Sequence, residues 1–315
     1  MGAEQAKNIS TLIKARAKEL GFDACGIARA QAVDTTTQER INQWTDKGLH
    51  GQMDYMTRNT EKRLNPTLLV PGAQSVICVA LNYHQKDYQP PGAHYKVSQY
   101  AAGRDYHFIL KTKMYQLLEY IQTVAETQSA RVFTDSAPVM ERYWAQQAGL
   151  GATGKNTCLI LPRKGSYFFL GEIILDIPLD YDPPYNKDLC GKCTHCMEAC
   201  PTGAIVSPGV VDAKKCISYL TIELKDDIPG QFKGNTDNYI FGCDICQDIC
   251  PHNRNFAQPT SEEDFRPLPA IARWEKQDWE NMDKPAWKNA FVKTRSPVAR
   301  ALWPKLMQNI KNTSI

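Results

Sequence analysis

The sequence contains no apolar run close to the roughly 20 residues that a membrane helix requires; its longest candidate, SVICVALNY at 75–83, suits a buried strand. The first twenty residues form an amphipathic helical pattern without the apolar centre of a signal peptide or a twin-arginine signal, so a cytoplasmic location is expected. No G-x-G-x-x-G opens a helix, and GATGKNT at 151–157 has the wrong glycine spacing for a P-loop, so neither NAD nor ATP is supported. DYHFIL at 105–110 approaches a cobalamin-ligating D-x-H-x-x-G but carries Leu110 where the glycine belongs, which argues against a histidine-ligated corrinoid. Internal repeats and low-complexity tracts are absent. Acidic residues are also absent after Asp283, while Lys284, Lys288, Lys293, Arg295, Arg300, Lys305 and Lys311 all follow it. Such a basic tail, interleaved with Trp287 and Trp303, suits either a phosphate backbone or a solvated helix face docked through its tryptophans. The docked face is the simpler reading.

The chain does have cysteine, eleven in 315 residues, and eight of them lie between Cys190 and Cys250. A cytoplasmic chain keeps its thiols reduced, so this clustering reads as metal ligation rather than a disulfide framework. Residues 190–201 read C-x2-C-x2-C-x3-C-P. In this bacterial ferredoxin run the fourth cysteine ligates the other of two clusters. A second run, C-x2-C-x3-C-P, spans 243–251 and lacks one thiolate, because Ile240 stands three before Cys243. Cys216 supplies it. The expected ligands are Cys190, Cys193, Cys196 and Cys250 for one [4Fe–4S] cluster, and Cys200, Cys216, Cys243 and Cys246 for the other. Zinc knuckles also use C-x2-C pairs, but strict three-residue spacing followed by Cys-Pro, twice, favours iron–sulfur. Two adjacent clusters make an electron relay that needs a terminus. His195 and His252, inside the runs, are expected to tune cluster sulfur through hydrogen bonds rather than to ligate. Cys25 and Cys78 read as small apolar strand residues.

Ahead of the relay, helical and strand patterns alternate. Strands are expected at 22–28, 75–83, 131–134, 157–162 and 167–177, and helices near the N-terminus, at 105–127 and at 138–149. This is an α/β or α+β domain. The proline-broken YDPPYNKD at 181–188 marks the boundary. The expected division is 1–182, a catalytic domain; 183–258, a ferredoxin-like domain; and 259–315, a short, basic helical region.

The ordered set GRDYH (103–107), TDSAPVMERYWAQQAGLGATGKNT (134–157), LCGKCTHCMEACPTGAI (189–205) and FGCDICQDICPHN (241–253) resembles the epoxyqueuosine reductases over most of residues 1–258. The resemblance implies a nitroreductase-like domain that binds base-off cobalamin, followed by a two-[4Fe–4S] ferredoxin-like domain. It further implies the last step of queuosine biosynthesis, a two-electron removal of the epoxide oxygen of epoxyqueuosine at the tRNA wobble position. Electrons would reach cobalt from an external flavodoxin or ferredoxin through the clusters, and the flipped base would enter a monomeric enzyme. Longer members of the family carry further helical repeats beyond this chain's C-terminal region, which places more weight on its basic tail. Asp135 matches the family's proton donor and would need desolvation to hold its proton, since a free aspartate is ionised at neutral pH. Read without the resemblance, Asp135 is a helix N-cap. The expected cobalamin contacts are Arg58, Ser98, Asp135, Lys155, Asn156 and Cys158. Arg104 and His107 flank a helix start suited to capping or anion binding, and Arg142 is expected to pair with a nearby acid. Two other functions share the motifs: a corrinoid reductive dehalogenase, and a non-catalytic two-cluster electron carrier.

Overall fold

The computed structural model describes residues 2–313. Its centre is a four-stranded antiparallel sheet in the order Ala24–Arg29, Ser75–Asn82, Phe168–Leu175, Ala130–Phe133. Every residue of Ser75–Asn82 is buried, and so is all of Phe168–Leu175 except its first residue. Both strands read as continuous Val/Ile/Leu runs because helices cover both faces of the sheet. The helices Ala3–Glu19 and Tyr106–Val124 close one face through Ile9, Ile13, Leu110, Met114, Leu117 and Ile121. The shorter helix Glu141–Gln147 closes the other, with Trp144 and Ala145 against Cys78, Ala80 and Ile174. It packs so closely that a Cβ on Gly26 would stand 2.1 Å from the Ala148 carbonyl oxygen. The sequence patterns located these elements, with two differences. The expected strand at 157–162 contracts to Leu159–Ile160, paired with Ala152–Thr153 in a hairpin. The expected helix from Pro138 starts only at Glu141, with Met140 as its N-cap. Asp135 therefore does not cap it.

The segment 181–188 forms no helix or strand, yet it is strapped down. Asp182 accepts from Lys14 Nζ at 2.6 Å and from the Ile27 backbone N–H at 2.8 Å, and the Tyr185 N–H donates to the Gln146 carbonyl. Beyond it the chain doubles back on the first half. Strand Tyr239–Phe241 pairs in parallel with Lys96–Val97. Together they seed a core in which Tyr95, Val97, Ile240 and Phe241 pack with Trp279, Trp287, Phe291 and Leu306. Trp279 and Phe291 stack at 5.8 Å, and Trp303 Nε1 donates to the Met282 carbonyl. The C-terminal tryptophans thus point inward, and the cations between them decorate the outer surface. Among the described residues no helix is long and apolar enough to cross a membrane.

One residue breaks the apolar pattern of the sheet. Glu172, opposite Cys78 in the register, is fully buried and neither carboxyl oxygen has a partner. Burial, then the nearby Glu141 carboxyl, raises its pKa well above the usual value, so it is held neutral. An acid whose pKa is raised by folding destabilises the native state increasingly once pH exceeds its unfolded value of 4.5. The wild-type protein is expected to lose stability between pH 5 and 8 relative to Glu172→Gln, by up to about 1.4 kcal/mol per pH unit for one proton. Denaturant midpoints across that range measure this; parallel curves for the two proteins would contradict it.

Candidate active site

The loop after strand Ala130–Phe133 places Asp135 in the left-handed region (φ 54°), unusual for a residue other than glycine. Four groups hold it there. Tyr106 Oη donates to Asp135 Oδ2 at 2.7 Å, and His107 Nε2 stands 3.3 Å from the same oxygen. The Asp135 backbone N–H donates to Glu141, and the Arg300 guanidinium lowers the pKa of its carboxyl from further off. Tyr106 and His107 open the Tyr106–Val124 helix, whose N-cap Asp105 accepts from the His107 backbone N–H. Asp105 Oδ1 also takes His107 Nδ1 at 2.7 Å, so the imidazole bridges two carboxylates. Burial works against charge on His107, but hydrogen bonds to Asp105 and then Asp135 outweigh it and raise its pKa to about 9. The hydrogen bond from His107 is the main influence on Asp135 and, against burial, keeps that carboxyl below its usual value. With this cation beside it, the proton of the pair resides on His107.

Glu141 lies behind the loop. Burial first, opposed by the Asp135 N–H it accepts, brings its pKa to about 7. Arg300, from the C-terminal region, meets Glu223 at 2.5 Å and reaches the same cleft, where it also interacts with Tyr55 and Tyr100. Tyr55 senses Asp135 in turn, which sets the Asp54–Met56 turn on the same side of the molecule as the Asp135 loop. Among the described residues Arg142 makes no close ion pair, though it lowers the Glu141 pKa; it donates to the Thr157 carbonyl oxygen at 2.7 Å and braces the turn at 154–158. A second cleft of about 350 Å³ runs on the far side of Asp105, lined in part by Arg104, Phe108, Lys113 and Arg295.

The cysteines separate into two groups. Cys196 is shifted upward by burial and then by Cys190, Cys250 and Cys193. These four line a cavity of about 130 Å³ together with Lys155, Asn156 and Ile160. Cys243 is shifted upward chiefly by burial, with contributions from Cys216 and Cys200. Cys246 is raised first by the hydrogen bond it donates to Cys158, then by burial, and also by Cys243 and Cys216. Among the described residues no three or more His, Cys, Asp or Glu side chains converge as ligands of a single metal ion would. The four thiols around one cavity, and the second set grouped about Cys243, fit the thiolate ligand sets that four-iron clusters use. His252 Nε2 engages the Leu189 carbonyl at 2.8 Å, not a sulfur.

Of the six expected cobalamin contacts, the structure turns three toward the iron–sulfur half. Ser98 is buried and donates to Asp244, the residue after Cys243. Lys155 and Asn156 bond backbone carbonyls of the cysteine loops. Arg58 is exposed, and Cys158 is hydrogen-bonded to Cys246. Sequence reasoning missed the side chains of Tyr106, Glu141 and Arg300 as parts of this site. GRDYH carried a signal for Tyr106, the neighbour of His107 in that motif, but nothing local could connect Arg300 to a loop 165 positions earlier.

An α/β layer, a cleft with a carboxylate–imidazole array and eight grouped thiols define an iron–sulfur oxidoreductase. Residues 189–253 match the 4Fe-4S double cluster binding domain, and residues 63–136 match the family described as Epoxyqueuosine reductase QueG, DUF1730. The chain belongs to the epoxyqueuosine reductase family. It is 46% identical to the Cyclobacterium marinum epoxyqueuosine reductase over 95% of this chain and 94% of that protein. Identity to the Escherichia coli enzyme is also 46%, over 81% of this chain and 68% of that one. A crystal structure of an epoxyqueuosine reductase with an epoxyqueuosine-modified tRNA-Tyr stem loop superposes with a TM-score of 0.87 at 29% identity, covering 97% of this chain and 80% of that one. The Bacillus subtilis enzyme, with its catalytic aspartate loop swung out of the active site, gives 0.84 at 29%, covering 97% and 81%. A catabolic reductive dehalogenase shares the fold at 16% identity and a TM-score of 0.51, with 98% of this chain aligned to 38% of that one.

Proposed function

We propose that this oxidoreductase converts epoxyqueuosine to queuosine at the wobble position of tRNA. The reaction takes two electrons and two protons and releases the epoxide oxygen as water. The observation that carries this reading is the array Asp105–His107–Asp135, in the same half of the molecule as the Cys158 that bonds Cys246. Bound cobalamin supplies a strong nucleophile toward carbon, and two [4Fe–4S] clusters supply its electrons. Arg58, Asp135 and Cys158 would hold the corrinoid; Cys190, Cys193, Cys196 and Cys250 would hold one cluster, and Cys200, Cys216, Cys243 and Cys246 the other. His107 holds a proton at neutral pH, Asp135 passes it to the departing oxygen, and Tyr106 keeps Asp135 in position. Asp105 fixes the imidazole so that Nε2 faces Asp135. Arg300 and Tyr55 line the entrance that a flipped base would use. Arg295, lying over the exposed Phe108 ring at 5.1 Å, offers a cation and an aromatic face to the anticodon loop.

The same reading takes residues 1–182 as a nitroreductase-like catalytic unit, 183–258 as the cluster unit and 259–315 as the helical region that closes the cleft. The enzyme works as a monomer and receives electrons from a flavodoxin or ferredoxin. The test is an anaerobic assay of the reconstituted protein with cobalamin, a low-potential reductant and an epoxyqueuosine-containing stem loop, with nucleosides read by mass spectrometry. Queuosine is the expected product; its absence in fully loaded, reduced protein would sink the proposal.

A further inference from the structure

Lys155 stands where the catalytic half meets the cysteine loops. Its Nζ donates to the carbonyl oxygens of Gly191 at 2.7 Å and Cys193 at 2.8 Å, and its backbone N–H points at Cys190 Sγ, 3.5 Å away. Asn156, buried beside it, donates Nδ2–H to the Cys246 carbonyl oxygen at 3.2 Å. One turn therefore grips both cysteine groups. Lys155 also forms part of the wall of the cavity lined by Cys190, Cys193, Cys196 and Cys250.

The charge of Lys155 is what distinguishes it from Asn156. Among the described residues it has no ion-pair partner; its ammonium is directed onto two carbonyls of a loop that wraps four thiols. Four thiolates around a [4Fe–4S] core carry net negative charge, and reduction adds one more. A fixed cation and an N–H···S bond both favour the more negative state and so raise the reduction potential. We propose that Lys155 is a positioning residue that raises the potential of the cluster held by Cys190, Cys193, Cys196 and Cys250, while Asn156 fixes the loop of the other cluster without charge. This rests on the ligand assignment of the preceding section.

The experiment is a redox titration monitored by EPR on iron-loaded wild type, Lys155→Gln and Lys155→Arg. Lys155→Gln keeps a donor for the carbonyls and removes the charge; Lys155→Arg keeps the charge. At the poise that half-reduces this cluster in the wild type, the reduced-to-oxidised ratio in Lys155→Gln is expected to fall about tenfold, or about 59 mV for one electron. Lys155→Arg is expected to stay near the wild type, and the second cluster to remain unshifted in both. An unshifted titration in fully loaded Lys155→Gln would overturn the proposal. So would loss of one cluster from that variant, because the lysine would then be only a structural latch. A wild type unable to hold two [4Fe–4S] clusters would instead overturn the ligand assignment itself.

Discussion

Asp135→Asn should lower turnover of epoxyqueuosine by about two to four orders of magnitude, the range for losing a positioned acid–base group. Iron content and stem-loop affinity should be unchanged. The substitution keeps the side chain's size and its contact with Tyr106 Oη, and removes the ability to relay a proton from His107 together with part of what raises the His107 pKa. The pH profile provides the second check. His107, with its pKa raised to about 9 by Asp105 and Asp135 against the effect of burial, holds its proton below that value and releases it above. Turnover should therefore be level through neutral pH and fall as pH rises through about 9. His107→Gln should lose most of the activity and this alkaline limb with it. A wild-type profile that stays level well beyond pH 9, or an Asp135→Asn variant with full turnover, would remove the relay.

Cys200→Ser should abolish turnover and remove about half of the iron, and the signal that disappears should differ from the one lost in Cys193→Ser. Both residues belong to the same short run, so local pairing would predict the same loss for both. The crossed assignment predicts instead that Cys193→Ser behaves like Cys250→Ser, and Cys200→Ser like Cys216→Ser. The geometry supports this, because Cys196 senses Cys250 from the distant run, while Cys243 senses Cys200 and Cys216. Iron analysis with EPR of the four variants decides it. Identical spectra for Cys193→Ser and Cys200→Ser would overturn the crossed arrangement.

The cysteine runs were legible because their ligands recur at local spacing and the count closes only when Cys216 is included. Strand and helix positions were legible from period, since Ser75–Asn82 and Phe168–Leu175 are apolar throughout and the Tyr106–Val124 helix shows a clear stripe. The order of the sheet was not legible. It pairs strands almost a hundred positions apart, and several orders satisfy the same pattern. Side-chain direction was equally hidden. Ser98 and Lys155 were expected to contact cobalamin, and packing turns one toward Asp244 and the other toward the cysteine loop. The protonation of Asp135 could not be judged from sequence because it depends on a histidine 28 positions earlier. That histidine reaches the carboxylate only because the Tyr106–Val124 helix begins beside the loop.

The core shared by Tyr95, Phe241 and Leu306 has a consequence for how the protein matures. The strand leading into Cys243 gains its hydrophobic seat only when the Trp303–Thr313 helix, far along the chain, packs against it. Contacts of such long range form late in folding. The thiols that follow this strand should therefore be gathered only after that distant helix has docked, making metallation a step that follows tertiary folding.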